Sequence, residues 1–281
     1  MFMYWGCGPS VAGPRFDDMT RLSYDDYLRH LTADTARFRA VLADCDPHAR
    51  VPSCPDWDAA DLLWHLGEVQ HFWATMVTQR PQGADDYTAP PRPDTYAGLL
   101  DFFDVGSVAL LEALLAADPA EEAWTWSEEQ TVGFIYRRQA HEALIHRLDA
   151  ELTAGSVSPL DPVLAADGVQ EALDVMFGAQ PPWGTFTPQD RTVRVDATDT
   201  DDQVWVRLGR FTGTDTAGAE HDLDDIHVVV DPGLEPDAVV EGTAADLDAW
   251  LWHRGGDSAI TVTGDRDAYD HFAACVNHPI T

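Results

Sequence analysis

Glu142 and His146 stand four residues apart. On a helix that spacing puts both side chains on one face, one turn from each other. Far upstream, His65 falls inside Leu62-Leu63-Trp64-His65-Leu66, on the apolar stripe of an earlier helical pattern. Two helices that turned these three side chains inward would close a His-Glu-His site with one position open. Two imidazoles and a carboxylate suit zinc, with the fourth place left to water or a substrate. The same set suits iron or nickel. The paired Glu-x-x-His motifs of di-iron bundles are missing, so a single ion is the expectation. Asp149, three residues beyond His146, is placed to orient a ligand histidine from behind. The plainer alternative is a surface ion pair on one helix and a hydrogen-bonded core histidine on the other.

The elements that must carry these residues read as helices. Ser23 with Asp26 makes a capping-box-like start, and Tyr24, Tyr27, Leu28, Leu31, Phe38, Val41 and Leu42 follow at helical spacing. Asp58 is a good N-cap for the second helix, with Asp61 at its third position and Trp57 and Leu62 placed as a hydrophobic staple. His65 lies on its buried stripe with Leu66, Val69, Phe72 and Met76. A polar, proline-rich loop from Gln79 to Pro93 is long enough to act as a lid or binding loop. A third helix is expected from about Thr95 to Ala117, and a fourth from about Glu129 to Thr153. The fourth has an odd face: Ile135, Arg138, Glu142, Ile145 and Asp149 share it. A core-facing stripe should be apolar, so this helix is either partly exposed or polar inside for a reason. Four such helices predict a four-helix bundle.

Gly155 to Pro162 reads as a linker, and the pattern changes beyond it. Val163 to Phe177 is amphipathic. Arg191 to Val195 and Val204 to Leu208 alternate as half-buried strands do. Ile226 to Val230 and Ala259 to Val262 are further strands, while Ala244 to Trp252 and Arg266 to Val276 look helical. The expected organisation is therefore a helical bundle over 20–154 and an α+β domain over 163–281.

Composition narrows the chemistry. Forty-nine acidic against seventeen basic residues give a net charge of −32, a field that repels nucleic acid and anionic lipid. Every basic residue other than histidine is arginine. Lysine Schiff-base chemistry and a lysine phosphate loop are thereby excluded. Cys7, Cys45, Cys54 and Cys275 show no CxxC spacing and read as reduced, mostly buried thiols. No apolar run is long enough to span a bilayer, and the start lacks a basic secretory n-region. The expectation is a cytoplasmic protein, monomeric or homodimeric, with Met19 a candidate start.

Certain stretches resemble a known family. Val51-Pro52-Ser53-Cys54-Pro55-Asp56-Trp57, then Asp61-Leu62 and His65-Leu66-Gly67, are similar to the N-terminal signature of the mycothiol-dependent maleylpyruvate isomerase family. Glu142 to His146, with Arg147, Asp149, Ala150 and Glu151, resemble its second signature. Val240 to Leu247 and Leu251-Trp252-His253-Arg254 resemble its C-terminal domain. The resemblance implies a DinB-like four-helix bundle followed by a sterol-carrier-like domain. It implies a divalent metal, usually zinc, on the residues matching His65, Glu142 and His146, a low-molecular-weight thiol such as mycothiol as cosubstrate, and an arginine matching Arg254 for the substrate acid. Two positions depart from the pattern: Asp56 and His253 each stand where glycine is common.

The resemblance thus points to a thiol-dependent isomerase or S-transferase acting on a small electrophile that carries a carboxylate. Hydrolysis by metal-activated water uses the same ligand set. A non-catalytic module would need a fourth protein ligand closing the site. His71 and His141 are nearest in sequence, and neither shares the required face.

Overall fold

The computed structural model describes residues 22–277. Cys7, the start at Met19 and the leader before it lie outside the described residues. Two compact units emerge, Leu22–Leu160 and a second beginning at Asp161.

The first unit is built from four long helices, α1 (Tyr24–Ala43), α2 (Ala59–Gln79), α3 (Tyr96–Leu115) and α4 (Val132–Ala154). Each begins at an oxygen-bearing cap. Ser23, Asp58, Thr95 and Thr131 accept hydrogen bonds from backbone N–H groups of their own first turns, each cap typically contributing about 1 kcal/mol. At α2 the cap is reciprocal, because Asp61 also accepts from the Asp58 N–H at 3.1 Å. That box fixes where α2 starts, and so where His65 comes round to the interior. α4 begins later than the expected Glu129. Gln130 turns back onto the preceding loop, donating to the Thr125 carbonyl at 2.8 Å and accepting from the Thr125 N–H at 3.1 Å. Thr131 is therefore the first residue free to cap.

α1 packs on α4, and α2 on α3. Phe38, Leu42, Leu62, Leu66, Leu99 and Phe103 fill one core. α2 and α3 approach closely at two glycines. A Cβ on Gly106 would meet the Gly67 carbonyl at 3.2 Å, so a side chain there would push the helices apart.

α4 is buried along nearly its whole length. Its polar residues go inside with it: Arg138, Arg147, Asp149 and Glu151 are all under 5% exposed. They are satisfied in pairs, as buried charges must be. Arg37 of α1 donates to Glu151 at 2.6 Å, Arg147 to the same carboxylate at 3.0 Å, and Arg147 also pairs with Asp34 of α1 at 2.7 Å. After Gly155, which ends α4 in the left-handed conformation, Ser158 returns to donate to Glu151.

The second unit starts with α5 (Pro162–Glu171), which runs on into a π-helical turn, Ala172–Phe177. Then come β1 (Gly184–Ala197), β2 (Asp202–Thr214), β3 (Glu220–Val229), β4 (Ala238–Gly242), α6 (Ala244–Leu251), β5 (Thr261–Gly264) and α7 (Arg266–Val276). The sheet order is β3-β2-β1-β4-β5. The β1–β4 pair is parallel and the others antiparallel. α+β is thus the fold class of this half. β1 reaches well upstream of Arg191 because a register shift between Pro188 and Thr192 lets the strand bend and continue. The sequence reading contained no strand at β4. Among the described residues no helix is long and apolar enough to cross a membrane.

Candidate metal centre

His65 comes from the second turn of α2 and Glu142 and His146 from successive turns of α4. Their ligand atoms all lie within 4.8 Å of one another. Glu142 Oε1 is 3.2 Å from His146 Nε2 and 3.5 Å from His65 Nε2. Among the described residues no other histidine, cysteine or carboxylate joins the group. His71 instead meets the Tyr87 hydroxyl at 3.0 Å, and His141 is buried edge-on to Tyr27.

What surrounds the three explains their poise. Behind His146, Nδ1 lies 2.9 Å from Asp149 Oδ2, and Asp149 is fully buried. The other Asp149 oxygen accepts from the Ser53 hydroxyl. This chain turns His146 so that Nε2 faces Glu142. Arg138 donates to the second Glu142 oxygen at 3.1 Å. Trp57 closes one side, its ring 4.8 Å from His65 and 6.4 Å, stacked, from His146.

Charge follows from this arrangement. Burial lowers the pKa of His65, outweighing the opposing pull of Glu142, so it stands neutral with a lone pair to give. Burial would also lower His146, but the Asp149 and Glu142 carboxylates overcome it and hold the ring at about 9. Burial would raise Glu142, yet hydrogen bonds from His146 and His65 and the nearby Arg138 charge keep its carboxyl well below the usual range. In the ion-free protein an imidazolium thus sits between two carboxylates.

These residues fit a divalent cation. Zinc bonds of about 2.0–2.1 Å give ligand–ligand edges of roughly 3.3 Å in a tetrahedron, close to the two separations at Glu142. A carboxylate held ionised and a histidine oriented from behind are the donor chemistry such an ion needs.

Residues 28–151 match the family model of the mycothiol maleylpyruvate isomerase N-terminal domain. Residues 163–271 match that of the corresponding C-terminal domain. The chain belongs to the mycothiol maleylpyruvate isomerase family. Two crystal structures of a mycothiol-dependent maleylpyruvate isomerase share the fold. A point mutant aligns with a TM-score of 0.57 and the other structure with 0.53, each at 13% identity over 86% of this chain and 93% of that one. No curated protein is significantly similar in sequence.

Arg254, expected from the sequence to meet a substrate acid, lies in the second unit, just past α6. Its N–H bonds the Ala249 carbonyl at 2.7 Å, and the His253 N–H bonds the Trp250 carbonyl at 3.0 Å. This pairing is a Schellman motif. Its left-handed residue is His253, at φ 59°. The position thus takes a conformation that glycine adopts freely and that costs a side-chain-bearing residue about 1–2 kcal/mol. The guanidinium of Arg254 donates to the Trp252 carbonyl at 2.6 Å.

Sequence reasoning named the three converging residues and Asp149. It missed Ser53, whose partner lies ninety-six residues away, and gave Trp57 only a helix-capping role. It also left open the placement of Arg138, which follows at once from its position four residues before Glu142.

Proposed function

We propose that this protein is a metal-dependent enzyme using a low-molecular-weight thiol to isomerise, or to transfer sulfur to, a small electrophile. The observation that carries this reading is the convergence of His65, Glu142 and His146 with no fourth protein ligand among the described residues. Family membership supplies the thiol. His65, Glu142 and His146 would hold the ion. When bound, a divalent cation favours thiolate over thiol. Asp149 and Ser53 keep His146 in one orientation. Arg138 balances the second Glu142 oxygen, and Trp57 shields the imidazoles from bulk water.

The thiolate adds to one carbon of a conjugated double bond, the resulting single bond rotates, and the thiolate leaves as the double bond re-forms in the other geometry. In a transferase the adduct takes up a proton and departs. Arg254 is assigned to a substrate carboxylate through a charge-assisted hydrogen bond worth roughly 1.5–3 kcal/mol.

Cobalt substitution tests this reading. Adding a thiol to the cobalt form should produce sulfur-to-metal charge-transfer absorption. Arg254→Ala should leave that band intact and weaken turnover of carboxylate-bearing electrophiles. If no thiol alters the spectrum while the loaded protein hydrolyses esters or amides unaided, the open position serves water and the thiol reading is wrong.

A further inference from the structure

The polar loop that follows α2 is tied back to that helix at two points. At one, the Tyr87 hydroxyl meets His71 Nδ1 at 3.0 Å, and the Tyr87 ring stands edge-on to Phe72 at 5.0 Å. At the other, Arg92 donates to Asp61 Oδ1 at 2.7 Å. Between these ties Thr88, Ala89, Pro90 and Pro91 make no hydrogen bond to any described residue. Prolines at 90, 91 and 93 remove three N–H donors and bias the residue before each towards extended backbone. The lengths agree with an extended run. Asp61 and His71 are ten residues apart, about 15 Å along a helix. Tyr87 and Arg92 are five residues apart, also about 15 Å in the form that proline favours. The loop is thus a stiff strap laid along one face of α2.

That face adjoins the candidate metal centre. A cavity of about 410 Å³ opens there, walled by Trp64, His65 and Glu68 from the stretch of α2 between the ties, and Arg92 forms part of the same wall. The two ties are unequal. Tyr87 is half-buried and packs its ring as well as its hydroxyl. The Arg92–Asp61 pair is open to water on both sides, at 41% and 35% exposed. Asp61 is its fixed half, because the other Asp61 oxygen accepts from the Asp58 N–H in the cap of α2. Arg92 commits to it one N–H of a guanidinium that has five. An exposed pair of this kind favours the bonded state by no more than about fivefold. One end of the strap therefore releases far more readily than the other.

We infer that residues 88–92 form a gate beside His65, hinged at Tyr87 and latched by Arg92 on Asp61. Release of the latch swings Arg92 out of the cavity wall and widens the approach to the His65–Glu142–His146 centre, for the ion and for the small molecule that follows it. This inference rests on the metal reading above, and its test separates the two.

A gate alters how fast an ion passes without altering how tightly it is held, since Tyr87 and Arg92 bond His71 and Asp61 and not the three ligands. Zinc uptake by the ion-free protein and zinc transfer to pyridylazoresorcinol are timed by stopped flow. Arg92→Gln should speed both by about two- to fivefold and leave the equilibrium affinity within about a factor of two. Loss of the positive charge by itself would speed uptake and slow release, so the paired change is the signature of the latch. High salt should speed the wild type in the same proportion and leave Arg92→Gln unmoved, because an exposed pair is screened. Arg80→Gln, which frees the far end of the same loop from Glu121, should change neither rate. Unaltered rates in Arg92→Gln, faster release with lost affinity, or equal acceleration by Arg80→Gln would overturn the gate. The metal-free protein gives a reading that needs no ion. Diethyl pyrocarbonate should modify His65 faster in Arg92→Gln than in the wild type, with exposed His48 as the internal reference, both followed by peptide mass spectrometry. Equal modification of His65 in the two proteins overturns the gate as well. If the chain holds no zinc but His65 reacts faster in the variant, the metal reading fails and the gate stands. If zinc binds and neither its rates nor His65 respond to Arg92, the metal reading stands and the gate fails.

Discussion

Both units of the protein draw carboxylates out of water, and two of these, Glu142 and Asp225, meet opposite fates. Glu142 in the helical unit is surrounded by His65, His146 and Arg138, and its carboxyl is held well below the usual range. Asp225 on β3 is hydrogen-bonded by amides, the Ile226 N–H at 2.8 Å and Gln180 Nε2 at 3.3 Å, with the His227 charge a weak influence. Burial pushes it up to about 6. Loss of water acts in the same direction on both. Neighbouring positive charge reverses it in one and is too weak to do so in the other. Burial alone therefore does not mark a ligand; a buried carboxylate kept ionised by partners that can themselves bind a metal does.

The largest test removes those partners. His65→Ala and His146→Ala should each cut bound metal from about one ion per chain to near zero, measured by elemental analysis after dialysis. Circular dichroism should show the helices intact. Full metal content in both variants would return Glu142 to the status of an ordinary buried acid. A smaller loss is expected one bond further out. Asp149→Asn keeps the shape but gives His146 a weaker partner, and should reduce zinc affinity roughly tenfold to a hundredfold. Ser53→Ala, one step more remote, should cost less than Asp149→Asn in the same competition titration.

The third test acts on the other carboxylate. Because its folded pKa is raised, ionised Asp225 opposes folding above about pH 6. That penalty fades as pH falls through 6 towards the unfolded carboxyl's ordinary value. Asp225→Asn keeps the acceptor oxygen and should stabilise the protein at pH 7–8 by on the order of 1 kcal/mol, allowing for partial exposure. The gain should vanish near pH 4 in urea melts. An equal gain at both pH values would mean that charge is not the cause. Least of all, Gln180→Ala removes a long hydrogen bond and should shift stability by no more than about 0.5 kcal/mol.

Much of the helical unit was legible because its signals are local. Ser23, Asp58 and Asp61 announce helix starts within a few residues, and the spacing of Glu142 and His146 needs only one helix to bring them together. Where the deciding contact is distant, the sequence was silent. The start of α4 depended on Gln130 folding back to Thr125, which no periodicity reveals. β4 is five residues long and owes its existence to pairing with β1 some forty residues earlier. Likewise Ser53 declares nothing until α4 brings Asp149 to it. Asp225 lies in a run of acidic residues on β3 that reads as plain solvent-facing strand. Its desolvation is a property of the packed sheet and helices.

The polar spine of α4 has a consequence for assembly. An apolar helix in a bundle tolerates small rotations about its axis, because one methyl group replaces another at little cost. α4 has no such latitude. Turning it by one residue would carry Arg147 off Asp34, Glu151 off Arg37 and Asp149 off Ser53 together. Breaking the buried Arg147–Asp34 pair alone costs roughly 3–5 kcal/mol. These polar contacts thus act as a rotational key, admitting a single azimuth for the helix. That azimuth is the one at which Glu142 and His146 look towards His65.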